Sequence, residues 1–376
     1  MNRLPTVLIC LALAACAPSR GGEALSVLRD LAAAETAGTQ RFNADFAIDG
    51  RAYAADLYRP ERPPCAMLVL VPGVTPDGKD DTRLVVFARG IARAGFAVLV
   101  PDIASFRAMA VGPGDAQAVA DAVTRASQEY VEGADGGVGV VAISYAAGPA
   151  MLALLDAATR RRVGFVATIG AYYDSVAVVR FFTTGAWREP GARRWRFGDP
   201  DPRGNWVFVR SNLARVADTR DRGRLATMAT RKLSDANADV SELARGMGPE
   251  GTAILALLDN TEPDRVAALV ADLPPAIRAD MAALSLAERD LSAFATPVLL
   301  VHGRDDPVIP ASESTALAQA LPPDTAHLYV VDEFAHVGEA GTGAGLGDTV
   351  TLWSAVYRLL GLRNAMPAPA VPPYRP

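Results

Sequence analysis

Val138-Gly139-Val140-Val141-Ala142-Ile143-Ser144-Tyr145-Ala146-Ala147-Gly148 sets one serine between an unbroken apolar run and a stretch of small residues. The apolar half reads as a buried strand and the small-residue half as the start of a helix, so Ser144 falls on the turn between them. A turn of that kind lifts a hydroxyl off the end of a strand. It also brings the hydroxyl near the free backbone N–H groups of a helix N-terminus, beginning with that of Tyr145. Both matter because a serine hydroxyl is a weak nucleophile until a base stands beside it and donors face the developing oxyanion. The spacing is that of G-x-S-x-G with Ala142 and Ala146 at the glycine positions. On its own the run suits an ordinary strand-to-helix junction equally well. Ser144 is the candidate nucleophile, and the rest of the chain has to supply its partners.

Those partners follow in order. Pro297-Val298-Leu299-Leu300-Val301-His302-Gly303-Arg304-Asp305-Asp306-Pro307-Val308-Ile309-Pro310 reads as a buried strand ending in a carboxylate-bearing turn. A further short strand, His327-Leu328-Tyr329-Val330-Val331, leads into Asp332-Glu333-Phe334-Ala335-His336. The sequence Ser, Asp, His resembles the α/β-hydrolase family, whose catalytic triad follows that chain order. The resemblance covers residues 40–362, interrupted by a large insertion. It implies an α/β fold with a mostly parallel central sheet, helices on both faces and a largely helical cap. Residue by residue, Asp306 takes the place of the family's acid and His336 that of its base. Asp305 competes for the acid's role, and the spacing from Gly303 favours Asp306. The family draws its second oxyanion donor from the loop after its third strand. Here Met67-Leu68-Val69-Leu70-Val71 runs into Pro72-Gly73-Val74-Thr75-Pro76, which resembles the family's His-Gly-x loop with Pro72 replacing the histidine. The N–H of Val74 thereby inherits the donor role, beside that of Tyr145.

Composition fits such an enzyme and argues against other classes. In 376 residues with 50% hydrophobic content there is enough apolar material for a large core. The formal charge of −5, with no basic stripe, makes nucleic acid an unsuitable partner. Three cysteines (10, 16, 65) and three histidines (302, 327, 336) offer neither a disulfide framework nor a metal site. No cofactor is expected. His302 and His327 read as structural, and Cys65 as a buried thiol at the start of a strand.

At the amino terminus, Arg3 precedes an apolar run from Leu4 to Ala15 that is too short to span a bilayer but suits a secretory signal. It ends in Leu13-Ala14-Ala15-Cys16, which resembles the bacterial lipobox. The resemblance implies that residues 1–15 are a signal peptide and that Cys16 is lipidated. A plain secretory signal with a small-residue cleavage site is the alternative. Several acyl chains would hold the mature protein to a membrane. With Ala17 after Cys16, the outer membrane is the expected destination.

The pattern then organises the chain. A tether and helix occupy 16–40, with helical spacing over 23–37. A hairpin is expected over 42–48 and 51–58 around Asp49-Gly50. Continuous apolar strands follow at 66–71, 96–100, 137–143, 163–169, 298–302 and 327–331, buried on both faces as in a parallel sheet. Helices are expected near 83–94, 115–132, 146–159, 312–321 and 348–361. The first part of the hydrolase core runs over 41–171 and the second over 292–363. The strand rhythm disappears in the cap insertion, 172–291. Its aromatics (Phe181, Phe182, Trp187, Trp195, Trp206 and Phe208) either line an apolar pocket or make the cap's own core. Its arginines 180, 188, 193, 194 and 196 either meet an acidic group or form a solvated face. Residues 364–376, rich in Pro, read as a disordered tail. Asp102 reads as structural, and Asp77, Asp80 and Asp81 as a solvated loop.

The combined expectation is a lipid-anchored serine hydrolase acting on a small-molecule carboxylic ester. Thioesters and lactones suit the same triad, and a non-catalytic binding module on this fold is the alternative of another class. Oligomeric state is left open.

Overall fold

The computed structural model describes residues 20–32, 38–131, 135–332, 334–335, 339–340 and 346–371. Its strands include β1 (Thr39–Asn43), β2 (Phe46–Ile48), β3 (Arg51–Tyr53), β4 (Ala55–Pro60), β5 (Ala66–Val71), β6 (Phe96–Pro101), β7 (Val138–Ile143), β8 (Val163–Ile169), β9 (Ala186–Trp187), β10 (Arg196–Phe197), β11 (Val298–Gly303) and β12 (Ala326–Val331). Eight of them form one sheet in the order β1-β4-β6-β5-β7-β8-β11-β12. From β6 to β12 every pair is parallel; at one edge β4 runs antiparallel to both β6 and β1.

The unbroken apolar runs explain the layering. Met67, Val69 and Val71 of β5 enter one core with the helix Asp115–Tyr130, while Ala66, Leu68 and Leu70 enter the other with the helix Thr82–Arg93. Period-two alternation places both sets inside because helices cover both faces. The second face is completed by the helices Arg20–Ala32 and Leu346–Asn364. These two are joined where Arg363 meets Glu23 at 2.7 Å and Trp353 donates to the Gly21 carbonyl at 3.0 Å. Among the described residues helix thus already covers 20–22, ahead of the 23–37 expected.

The expected hairpin forms around Asp49-Gly50 in one register, with Phe46 facing Tyr53 in β2–β3 and Phe42 facing Leu57 in β1–β4, and is interrupted between the two. The ladder breaks because the Asp45 carboxylate takes the Ala55 N–H that a strand carbonyl would otherwise accept. The helix expected over 146–159 is also divided, into Ala147–Ala153 and Ala157–Arg162. Asp156 caps the second piece by accepting from Thr159 N–H at 2.8 Å. Cys65 is exposed, not buried. Residues 365–371 are ordered along the core: Ala370 N–H donates to Tyr130 O at 2.8 Å, and Val371 packs on the first core cluster.

Between β8 and β11 the chain leaves the sheet and builds a layer of helices over its carboxyl edge, from Ser175–Thr184 to Pro275–Leu284. This layer has its own core around Leu225, Ile254, Leu257 and Ile277. No helix among the described residues is long and apolar enough to cross a membrane.

Candidate active site

The sheet order reverses direction at β5, which has β6 on one side and β7 on the other. Loops leaving the carboxyl ends of β5 and β7 therefore diverge and leave a crevice, the usual ligand position in an open parallel sheet. Val74 follows β5 and Ser144 follows β7, with Val71 paired to Ala142. Ser144 has φ 56, a left-handed backbone that costs a side-chain-bearing residue roughly 1–3 kcal/mol. A 3-10 turn, Ser144–Ala146, then feeds the helix Ala147–Ala153.

Alanine in place of glycine does not disturb this turn. Ala142 and Ala146 are fully buried, and Ala146 has φ −60, where glycine has no advantage. Gly148 is the position that allows no side chain, because a Cβ there would stand 2.0 Å from the Tyr172 hydroxyl. Gly73 keeps the neighbouring loop close: its Cβ would lie 3.6 Å from Ile143 Cγ2 and 3.9 Å from Ser144 Cβ. Val74, Ser144 and Tyr145 consequently line one cavity.

The acid turn is held differently. Asp306 is buried, while Asp305 is exposed. Asp306 Oδ1 accepts from the N–H groups of Val308 and Ile309, at 2.8 and 3.0 Å. A Cβ on Gly170, where φ is +71, would lie 3.4 Å from Asp306 Oδ2 and 3.9 Å from Ser144 Cα. The strand-end glycine thus brings the acid and the serine to opposite sides of one small gap. His302 fixes the turn from behind. Its Nε2 lies 2.8 Å from Ile309 O and its Nδ1 2.6 Å from Ser314 Oγ. A carbonyl only accepts, so Nε2 of this fully buried ring carries a proton toward Ile309 O, while Ser314 Oγ bridges Nδ1 and the Ala171 carbonyl, 3.3 Å away. Nε2 is also 3.6 Å from Asp306 Oδ2. His327 lies apart from this network, accepting from Arg358 at 3.0 Å.

His336 and Cys16 lie outside the described residues. On either side of His336, Phe334–Ala335 pairs antiparallel with Glu339–Ala340.

The cavity at Ser144 measures about 600 Å³ and is roofed by the helical layer. Its walls are mainly apolar, with Val74, Val111, Val178, Phe182, Phe208 and Met281 among them. Two of the insertion's aromatics, Phe182 and Phe208, thus face the cavity, while Trp206 packs into the layer's own core. Tyr145 stacks on Tyr172 with centroids 6.1 Å apart and meets Phe106 edge-on. Its hydroxyl donates to Asp115 at 2.8 Å. Burial drives the Tyr145 phenol far above its ordinary pKa, with the Tyr172 and Asp115 charges adding to the effect. Burial also raises the Asp115 carboxyl, opposed by donors on Ser105, Gly112 and Tyr145. Arg215 pairs with Asp280 in the cavity wall.

Sequence reasoning missed Gly170, Asp115 and Tyr172 as parts of the site. Gly170 carries a signal, a glycine directly after the strand β8. Asp115 and Tyr172 carry none, since their relation to Tyr145 exists only in three dimensions. Asp102 pairs with Arg107 at 2.9 Å, and Asp80 and Asp81 are taken up by Arg41 and by the cap of the helix Thr82–Arg93. No cluster of metal-ligating side chains occurs among the described residues.

No protein-family model and no curated protein sequence matches the chain. Solved structures do. A putative hydrolase from Legionella pneumophila superposes with a TM-score of 0.54 at 12% identity, over 92% of this chain and 95% of that one. The α/β hydrolase GrgF from a Penicillium species aligns over 87% of this chain and 98% of its own, at 14% identity and a TM-score of 0.49. A hormone-sensitive-lipase homologue, EstE7, from a metagenome library covers 92% of each chain at 15% identity and a TM-score of 0.44. Identity this low speaks to architecture alone; the superposition on the Legionella hydrolase, with the sheet order and the serine turn, identifies the chain's architecture as the α/β-hydrolase fold.

Proposed function

We propose that the chain is a serine hydrolase of carboxylic esters with an apolar acyl or alcohol part. The observation that carries this reading is Ser144 in a left-handed backbone at the sheet's switch point, opening into a largely apolar cavity with buried Asp306 beside it. In the proposed mechanism Ser144 Oγ attacks the ester carbonyl while His336 takes its proton and later gives it to the leaving alcohol. Asp306 orients the histidine and stabilises its charged form, and the N–H groups of Val74 and Tyr145 hold the oxyanion. Water, activated by the same histidine, then releases the acyl group. The cavity's apolar walls favour uncharged esters and explain how water is kept from the oxyanion. Labelling with a fluorophosphonate and turnover of short p-nitrophenyl esters test the reading together. Ser144→Ala should abolish both while leaving the fold and melting temperature near those of the parent. A folded parent that neither labels nor hydrolyses any ester or thioester tried would leave the fold as a binding module.

The lipid anchor belongs to the same proposal. Leu13-Ala14-Ala15-Cys16 makes Cys16 the acylated first residue of the mature protein, close to the helix that begins at Arg20. Labelled palmitate should be incorporated, and Cys16→Ser should end the incorporation. Soluble wild-type protein with an unmodified N-terminus would replace the anchor with plain secretion.

A further inference from the structure

In the insertion, β9 and β10 form a hairpin whose side chains serve neither the cavity nor the layer's core. Its registers pair Trp187 with Arg196 and Ala186 with Phe197. The hairpin is fastened at its root, where Gly198 N–H donates to Gly185 O at 2.9 Å and a Cβ on Gly185 would stand 2.7 Å from Gly198 O. Beyond the root the surface is cationic and aromatic. Arg180 and Arg188 sandwich the Trp195 ring, with guanidinium carbons 5.0 and 4.2 Å from its centroid, and Arg196 lies 5.3 Å from that of Trp187. Residues 186–197 hold four arginines against one glutamate, in a chain whose formal charge is −5. Arg188, Arg193, Arg194 and Arg196 are exposed, and none makes an ion pair among the described residues. Phe197 is 66% exposed, the largest exposure of any big apolar side chain described.

A solvated face would explain the arginines but not the bare Phe197; Trp187 and Trp195 beside it are half-buried, and Trp195 Nε1 ties the hairpin to the helical layer by donating to Asp264 at 3.0 Å. One environment suits all three residue types: an interface where rings reach the acyl boundary and guanidinium groups meet phosphates. We infer that the hairpin 186–197 is a docking surface for an anionic lipid bilayer. The chain's remaining negative charge is repelled by such a surface, so this patch also sets the orientation. The orientation has a consequence for the cavity. Just after the hairpin, Asp201 N–H donates to Pro307 O at 2.8 Å, and Asp201 and Arg203 stand on the cavity wall near Ser144. Docking therefore turns this side of the cavity toward the membrane, where apolar molecules are concentrated. The inference depends neither on the chemistry at Ser144 nor on acylation of Cys16.

The test uses tryptophan emission of the full chain with vesicles whose acyl chains carry bromine, a short-range quencher. Trp353 lies against Gly21, near an acylated Cys16, so the measurement is made in the Trp353→Phe background, where an anchor alone brings no quencher to the hairpin. Quenching is expected with phosphatidylcholine vesicles that include phosphatidylglycerol, and it should fade as salt is raised. Replacing Trp187 and Trp195 by Phe should remove it. Arg193→Ser and Arg194→Ser should each weaken partitioning about fivefold at low salt, and Phe197→Ser about tenfold. Equal quenching with and without the anionic lipid overturns the role of the arginines. Absence of quenching on both vesicles, or partitioning unchanged in the Arg193→Ser, Arg194→Ser, Phe197→Ser triple variant, overturns the inference and returns the patch to solvent or to an acidic protein. The triple variant should still hydrolyse a soluble short ester at the parent's rate. That separates failure of docking from failure of the proposed chemistry.

Discussion

The two sides of the cavity hold their reactive groups by different means. On the β7 side, Ser144 is placed by steric exclusion: a strained φ, buried alanines at 142 and 146, and Gly148 closed against the Tyr172 hydroxyl. On the β11 side, Asp306 is placed by hydrogen bonds: two backbone donors on Oδ1 and the His302 ring bridging Ile309 to Ser314. Steric placement tolerates changes of polarity but not an added methyl group. Polar placement tolerates an isostere and loses only its charge. The contrast leads to opposite expectations for the smallest substitutions on each side.

The largest expected effect is on the acid. In Asp306→Asn the amide oxygen can still accept from Val308 and Ile309, so the turn should keep its shape. The group at the Oδ2 position becomes a donor, which under the proposed mechanism holds the histidine in the wrong tautomer and lowers kcat about 10⁴-fold. Asp305→Asn, on the exposed neighbour, should leave kcat within about twofold. Steady-state kinetics on both variants decides which carboxylate acts. Equal losses would mean that the acid turn works as a unit and not through Asp306.

The elbow should respond in the opposite way. Gly148→Ala changes no polar group, yet its Cβ would meet Tyr172 Oη at 2.0 Å and Cζ at 2.2 Å. Tyr172 is itself buried and donates to Leu284 O at 3.1 Å, so the ring cannot move without cost. Overpacking of this kind destabilises by about 1–3 kcal/mol, and displacement of the ring stacked on Tyr145 should lower kcat/KM as well. Denaturant melts alongside kinetics check both parts. A variant with parental stability and activity would show that the elbow has slack where steric placement requires none.

The same distinction marks what could be read in the sequence. Parallel strands were legible because burial on both faces leaves unbroken apolar runs, and the serine turn was legible because its small neighbours are local. His302 was read as structural, but its bonds to Ile309 and Ser314 were not visible in the chain order. The hairpin at 42–58 was legible from its alternation around Asp49-Gly50, whereas its interruption, where the Asp45 side chain replaces a ladder carbonyl, was not. The break before Asp156 did carry a local sign, an Asp three residues ahead of Thr159, and the apolar period across it concealed the interruption. The ordered stretch 365–371 escaped because composition reports the cost of ordering a Pro-rich segment and not the surface available to receive it. Glu313, last of these, has no mark in the sequence that sets it apart from other acids in a first helical turn.

Glu313 extends the polar side of the contrast to the root of the helical layer. It is buried in the first turn of the helix Ser312–Ala320, and Oε2 accepts from the N–H groups of Tyr173 and Asp174, at 3.0 and 2.8 Å. These residues join β8 to the helix Ser175–Thr184, so one carboxyl group ties the layer to the core. Burial raises its pKa to about 7, with the Asp174 charge adding to the rise, while the two N–H donors and the Arg180 charge oppose it. The unfolded chain carries an ordinary glutamate, so between the two values the folded state binds more protons. Its contribution is fully present below the unfolded pKa and is lost as pH rises through about 7. Glu313→Gln keeps an oxygen for both N–H groups and removes the charge. Wild type should therefore lose stability relative to this variant from mildly acid to alkaline pH, by an amount on the order of 2–3 kcal/mol. Melts of both proteins across that range read the difference directly. Parallel curves would mean that Glu313 titrates near its ordinary value.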